Sequence, residues 1–123
     1  ISKKMNNYAI SKVTKSLKKE KRRVHILIMG ASYKSNVNDT RYSPSYDVFK
    51  ELSKSKNKIS VYDPKVKYWK EANIKCINKM PKLEKYDYLI LINYYKVYNR
   101  INFIKLLKLN TKIFDLGNTI KLF

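Results

Sequence analysis

Apolar residues cluster in short runs separated by polar, Lys- and Asn-rich stretches, and the runs alternate between two habits. Met5, Ala9, Val13 and Leu17 recur every fourth residue, with Ile10 on the same side, and predict a helix over residues 4–19. Val24 to Met29 is nearly continuous and predicts a strand covered on both faces. Val48, Phe49 and Leu52 return to helical spacing, and Ser43-Pro44 supplies the start: a capping hydroxyl, then a proline whose missing N–H has no partner in the first turn anyway. Ile59 to Tyr62 predicts a second strand, ended by Asp63-Pro64. Ile74 to Ile77 predicts a short third. Tyr88 to Ile92 predicts a fourth, with the density of a central strand. Asn102 can cap a helix over Phe103 to Leu109, and Lys112 to Asp115 predicts the last strand. Residues 65–73, with Tyr68 and Trp69, are expected to form a loop or short helix whose aromatics pack over a sheet edge. Met80 to Lys85 is expected to form a helical turn or two.

Strand, loop, helix, strand at this spacing is a βαβ unit, which requires a parallel pair and a right-handed crossover. The expectation is a Rossmann-like α/β three-layer sandwich. It has a five-stranded, mostly parallel sheet in the order 3-2-1-4-5, with helices on both faces. The switch point then lies between the first and fourth strands. The connections 30–43 and 93–101 should share one crevice at the strands' carboxyl ends, where open α/β sheets bind ligands. The first of these connections holds Lys34 and Arg41, a flexible point charge and a planar fork, the two cations suited to a diphosphate.

Composition narrows the chemistry. Of 123 residues, 28 are basic and 9 acidic, a net charge of +19. A polyanion partner is one reading of that excess. The plainer one is codon bias, since Lys, Asn, Ile and Tyr are all abundant and the cations are spread along the chain, dense only at Lys18-Lys19 and Lys21 to Arg23. No helix presents a nucleic-acid reading face, so a nucleic-acid partner is not expected. No apolar run is long enough for a membrane span, and no secretory signal is visible. The single cysteine excludes an internal disulfide and fits a reducing, cytoplasmic setting. One cysteine and one histidine cannot make a zinc site. Cys76 reads as a buried apolar residue and His25 as a packed edge residue, so no catalytic or metal-binding set is expected. Gly-x-Gly-x-x-Gly is absent: after the first strand only Gly30 is a glycine, with Ser32 and Ser35 following. The domain is not expected to hold a dinucleotide by itself.

The same loop carries a resemblance. Gly30-x-x-Tyr33-Lys34-x-x-Val37-x-Asp39-Thr40-Arg41-x-Ser43-Pro44 resembles the signature that opens the C-terminal domain of the UDP-glucose/GDP-mannose dehydrogenase family. Val61-Tyr62-Asp63-Pro64 resembles that domain's second-strand ending, and Phe114-Asp115 with Asn118 its final strand and turn. Met5 to Val13 is similar to the helix leading out of the central domain. The resemblance implies that residues 1–20 are a linking helix from a central domain and 21–123 a nucleotide-sugar-binding domain. The chain, which begins with Ile1, is then expected to be part of a longer enzyme. It implies an NAD-dependent oxidation of a UDP-sugar's C6 alcohol to the carboxylate, in the making of uronic acids for surface polysaccharides. The NAD domain, the dimerising central domain and the catalytic cysteine would lie outside these residues, leaving this part inactive alone. Tyr33 and Lys34 are implied as substrate contacts. Arg41 is implied to reach across to the NAD pyrophosphate. Asp39, Ser43 and Pro44 shape the loop. The Tyr33-Lys34-x-Asn36-Val37-x-Asp39 form leans toward members acting on UDP-N-acetylhexosamines. Leu116-Gly117 stands where many members carry a diphosphate-binding arginine, and Lys96 or Lys121 could substitute. The alternatives are a stand-alone or degenerate nucleotide-binding module without chemistry and, further off, a basic nucleic-acid-binding domain.

Overall fold

The computed structural model describes residues 3–32, 37–41 and 43–120. Along the chain come α1 (Lys3–Lys18), β1 (His25–Met29), α2 (Pro44–Leu52), β2 (Lys58–Tyr62), β3 (Tyr68–Trp69), β4 (Ile74–Lys75), β5 (Tyr88–Leu91), α3 (Phe103–Lys108) and β6 (Lys112–Asp115). Single 3-10 turns occur at Leu83–Lys85 and Lys96–Arg100. β2, β1, β5 and β6 form one sheet in that order, parallel throughout.

The period-two rule divides the sheet between two cores. Ile26 and Ile28 of β1, Val61 of β2 and Tyr88 and Ile90 of β5 face one side, where Ile10 and Val13 of α1 and Val48 and Leu52 of α2 cover them. Leu27, Met29, Tyr62, Leu89, Leu91 and Ile113 face the other, under Phe103 and Leu106 of α3 and the tyrosines of the β5–α3 connection. β1 and β5 are central and covered on both faces, which is why they read as unbroken apolar runs. Each such buried aliphatic side chain contributes roughly 1.5–3 kcal/mol. α1 belongs to the same core, and its last turn is tied to the sheet through Tyr88. The Tyr88 hydroxyl meets Ser16 Oγ at 2.5 Å and donates to Glu20 Oε2 at 2.8 Å.

The third strand departs from expectation. Ile74–Lys75 pairs antiparallel with Tyr68–Trp69 in a small separate hairpin, so residues 65–73 are neither helix nor plain loop. Only Ile77 joins the main sheet, as a single bridge to Tyr62. The reason lies in the donors: Cys76 N–H bonds Lys67 O at 2.9 Å, while Ile77 N–H bonds Val61 O at 2.8 Å. The segment changes partner between adjacent residues. The strand order is otherwise the expected one, with a four-stranded sheet and Ile77 in the third strand's place. Trp69 is fully buried against Phe49 and Tyr46 of α2, whereas Tyr68 is half exposed, so of the two aromatics expected to pack over a sheet edge only the tryptophan is buried, and its ring contacts are with α2.

Both expected helix caps form. Ser43 Oγ accepts from Ser45 N–H at 3.2 Å ahead of Pro44, and Asn102 Oδ1 accepts from Lys105 N–H at 3.0 Å. Ser43 is nearly buried, so water cannot replace its oxygen. Ser43→Ala is expected to cost about 1 kcal/mol in denaturant unfolding.

Candidate functional site: the carboxyl ends of β1, β2 and β5

β1 ends at Gly30, whose φ of 121° lies in glycine's territory. A Cβ there would stand 3.0 Å from Asn93, the residue that leaves β5's end. The chain's other glycine, Gly117, follows β6 and presses on the same place: a Cβ would stand 1.9 Å from the Ile92 carbonyl oxygen. Both glycines are therefore spent on close backbone approach around Ile92 and Asn93.

Asp63 organises this end of the sheet. It is fully buried, and among the described residues five groups donate to its carboxylate. Ala31 N–H and Ser32 N–H reach Oδ2 at 3.0 and 3.1 Å, and the Tyr95 hydroxyl reaches the same oxygen at 3.0 Å. Lys65 N–H and Val66 N–H reach Oδ1 at 2.9 and 3.2 Å. From β5's end, Asn93 Nδ2 donates to Ser32 O at 3.0 Å. The starts of the two connections, at Ser32 and Asn93, thus meet at the expected switch point. The sequence reading has Asp63-Pro64 end the second strand, and Asp63 caps that turn through Lys65 and Val66. Its larger role, gripping the start of the β1–α2 loop, needs donors from three separate segments.

This arrangement decides the dinucleotide question. In a Rossmann turn the amides after β1 face a pyrophosphate. Here the Ala31 and Ser32 amides are already bonded to a buried carboxylate, so a second anion does not fit there. Among the described residues of this turn, the two amides that would face a pyrophosphate are committed to Asp63.

Further along the loop, Thr40 Oγ1 donates to Glu71 Oε1 at 2.6 Å, pinning the loop to the β3–β4 hairpin. Arg41 closes on Asp39. Its backbone N–H and Nε reach Asp39 Oδ1 at 3.0 and 3.1 Å, and Nη2 reaches Oδ2 at 3.0 Å. The guanidinium beside it holds the Asp39 carboxyl below its usual range, and Asp39 raises Arg41 further. The Arg41 side chain is still 76% exposed. Asp39 therefore orients a guanidinium that faces outward. Of the sequence-derived ligand residues, Arg41 and the exposed Lys96, at the start of the Lys96–Arg100 turn, are described; Tyr33, Lys34 and Lys121 lie outside the described residues.

The remaining chemistry-bearing residues sit elsewhere. Cys76 is buried, and burial pushes its thiol up to about 12, which removes it as a nucleophile. His25 begins β1 at the opposite end of the sheet, bonded to Ser60 Oγ at 2.8 Å and packed against Tyr86. Arg22, in the dense basic cluster, pairs at that same end with Asp87 at 2.7 Å. Among the described residues no group of three or more His, Cys, Asp or Glu side chains could hold a metal, and no helix is long and apolar enough to cross a membrane.

Comparison with known proteins agrees with this frame. Residues 27–121 match the model of the UDP-glucose/GDP-mannose dehydrogenase family, UDP binding domain. A UDP-N-acetyl-D-mannosamine dehydrogenase of Methanococcus maripaludis is 43% identical over 68 residues, covering 53% of this chain and 16% of that protein. UDP-glucose 6-dehydrogenase 2 of Arabidopsis thaliana is 33% identical over 67 residues, covering 51% of this chain and 14% of that protein. Among solved structures, a UDP-glucose dehydrogenase from Pyrobaculum islandicum superposes with a TM-score of 0.67 at 18% identity, over 92% of this chain and 29% of its own. A UDP-N-acetyl-mannosamine dehydrogenase from Staphylococcus aureus superposes at 0.61 and 16% identity, over 88% of this chain and 24% of its own. The chain thus spans a small fraction of each relative. By the match over residues 27–121, the chain belongs to the UDP-glucose/GDP-mannose dehydrogenase family.

Proposed function

We propose that this chain binds the nucleotide of a UDP-sugar and forms one wall of the substrate crevice of an NAD-dependent UDP-sugar 6-dehydrogenase. The observation that carries the reading is the seat of the 30–43 loop at the sheet's switch point, within a stretch that matches a UDP binding domain. In that enzyme the C6 alcohol of the sugar becomes a carboxylate, with NAD as electron acceptor. The cofactor and the catalytic cysteine belong to other domains, a reading supported by the Ala31 and Ser32 amides being committed to Asp63 and by the burial of Cys76. Residues 1–20, with α1, link to a central dimerising domain, and the enzyme works in the cytoplasm. Tyr33 and Lys34 contact the nucleotide sugar. Arg41, outward-facing and steadied by Asp39, reaches an anion on the facing domain, the pyrophosphate of NAD. The substrate is a UDP-N-acetylhexosamine.

Calorimetric titration with UDP tests this. The chain is expected to bind UDP. Lys34→Ala is expected to weaken binding about tenfold or more, the worth of one charge-assisted hydrogen bond. Arg41→Ala is expected to leave UDP affinity unchanged, since its anion is the cofactor's. Unchanged binding in Lys34→Ala would contradict the assignment.

A second reading, a nucleotide-binding module without chemistry, is favoured by Gly117. An arginine at that position would collide with Ile92 O, so the diphosphate contact that the resemblance implies there has no equivalent on this backbone.

A further inference from the structure

Tyr95 lies in a connection, where side chains ordinarily face solvent, yet it is only 2% exposed. Its ring is held edge-on by Tyr62 at 5.8 Å and by Tyr98 at 5.6 Å. With the ring fixed, the hydroxyl is aimed at Asp63 Oδ2, 3.0 Å away. That oxygen also accepts the Ala31 and Ser32 amides. Asn93 Nδ2 closes the circuit, donating to Ser32 O at 3.0 Å and to the Tyr95 hydroxyl oxygen at 3.4 Å. Members come from three strand ends: Ser32 from β1, Asp63 from β2, Asn93 and Tyr95 from β5. Ser32 is the residue before Tyr33 and Lys34. Burial, and then the Asp63 charge, push the Tyr95 phenol above its usual range, so it remains a donor at any physiological pH.

We propose that Tyr95 is a positioning residue for the nucleotide site: its hydroxyl holds Asp63 against the Ala31 and Ser32 amides and so fixes the start of the β1–α2 loop at the strands' carboxyl ends. The proposal rests on the nucleotide-binding reading above. The ring fills the core in any case; the hydroxyl alone carries the positioning. Tyr95→Phe removes that oxygen and keeps the ring.

Two measurements on the 123-residue chain decide it. In amide hydrogen exchange, Tyr95→Phe is expected to speed exchange at residues 31–32 and 37–41 by about tenfold, the worth of a hydrogen bond to a charged group, while β5 and α3 keep their protection. Unchanged exchange at 31–32 and 37–41, or a uniform rise through the core, overturns the proposal. In UDP titration the folded variant is expected to bind about tenfold more weakly than the parent chain. Equal binding by the two overturns the role of Tyr95 alone. A parent chain that does not bind UDP overturns the nucleotide reading and this role with it.

Discussion

Asp63→Asn is expected to lower stability by about 3–5 kcal/mol in urea unfolding, a large share of what a small domain has. The change is nearly isosteric, so no cavity enters. What changes is polarity. Among the described residues, each hydrogen-bond partner of the carboxylate is a donor: four backbone amides and the Tyr95 hydroxyl. An asparagine presents one oxygen and one NH2. Whichever way it turns, the NH2 faces donors in a buried site, where water cannot relieve the conflict. Each stranded donor costs about 1–3 kcal/mol, and at least two are stranded. A variant within about 1 kcal/mol of the parent, the ordinary scatter of a benign substitution, would show that these bonds do not hold the three strand ends together.

Gly117→Ala is expected to cost about 3 kcal/mol, at the upper end for overpacking. A methyl group there would sit 1.9 Å from the Ile92 carbonyl oxygen and 2.9 Å from its carbon. Both atoms are backbone, at the end of a central strand, and Gly117 N–H is itself bonded to Leu91 O at 3.1 Å. Neither side can step back without breaking β5–β6 pairing. Gly117→Arg meets the same collision, so this substitution is expected to reduce stability without raising UDP affinity. A Gly117→Arg chain that melts like the parent and binds UDP more tightly would contradict this.

Much of the frame was legible because its signals are local. The apolar runs at Val24 to Met29 and Tyr88 to Ile92 are central strands buried on both faces, and burial on both faces needs no alternation. Ser43-Pro44 and Asn102 carry their caps in their own side chains. Order and switch point then follow from handedness and connection length. The third strand was not legible. Ile74 to Ile77 has strand composition, but its pairing is decided by Lys67 O and Val61 O, which compete for adjacent amides. Asp63 was half legible: an Asp-Pro after a strand announces a turn, while the Ala31, Ser32 and Tyr95 donors come from distant segments. Tyr95 gave no signal among the neighbouring Tyr94 and Tyr98. A register argument could have found the contact with β1, since Met29 pairs with Tyr62 and so places Gly30 beside Asp63.

The central claim is that a nucleotide binds at the carboxyl ends of the strands. It is tested most directly by following the backbone amide resonances of the chain during addition of UDP. The expected result is a set of shifts confined to residues 30–43, 62–66 and 93–101, saturating with UDP. Shifts centred instead on Lys18 to Arg23 at the opposite end of the sheet, fading with added salt, would contradict it and mark a basic surface that gathers any polyanion.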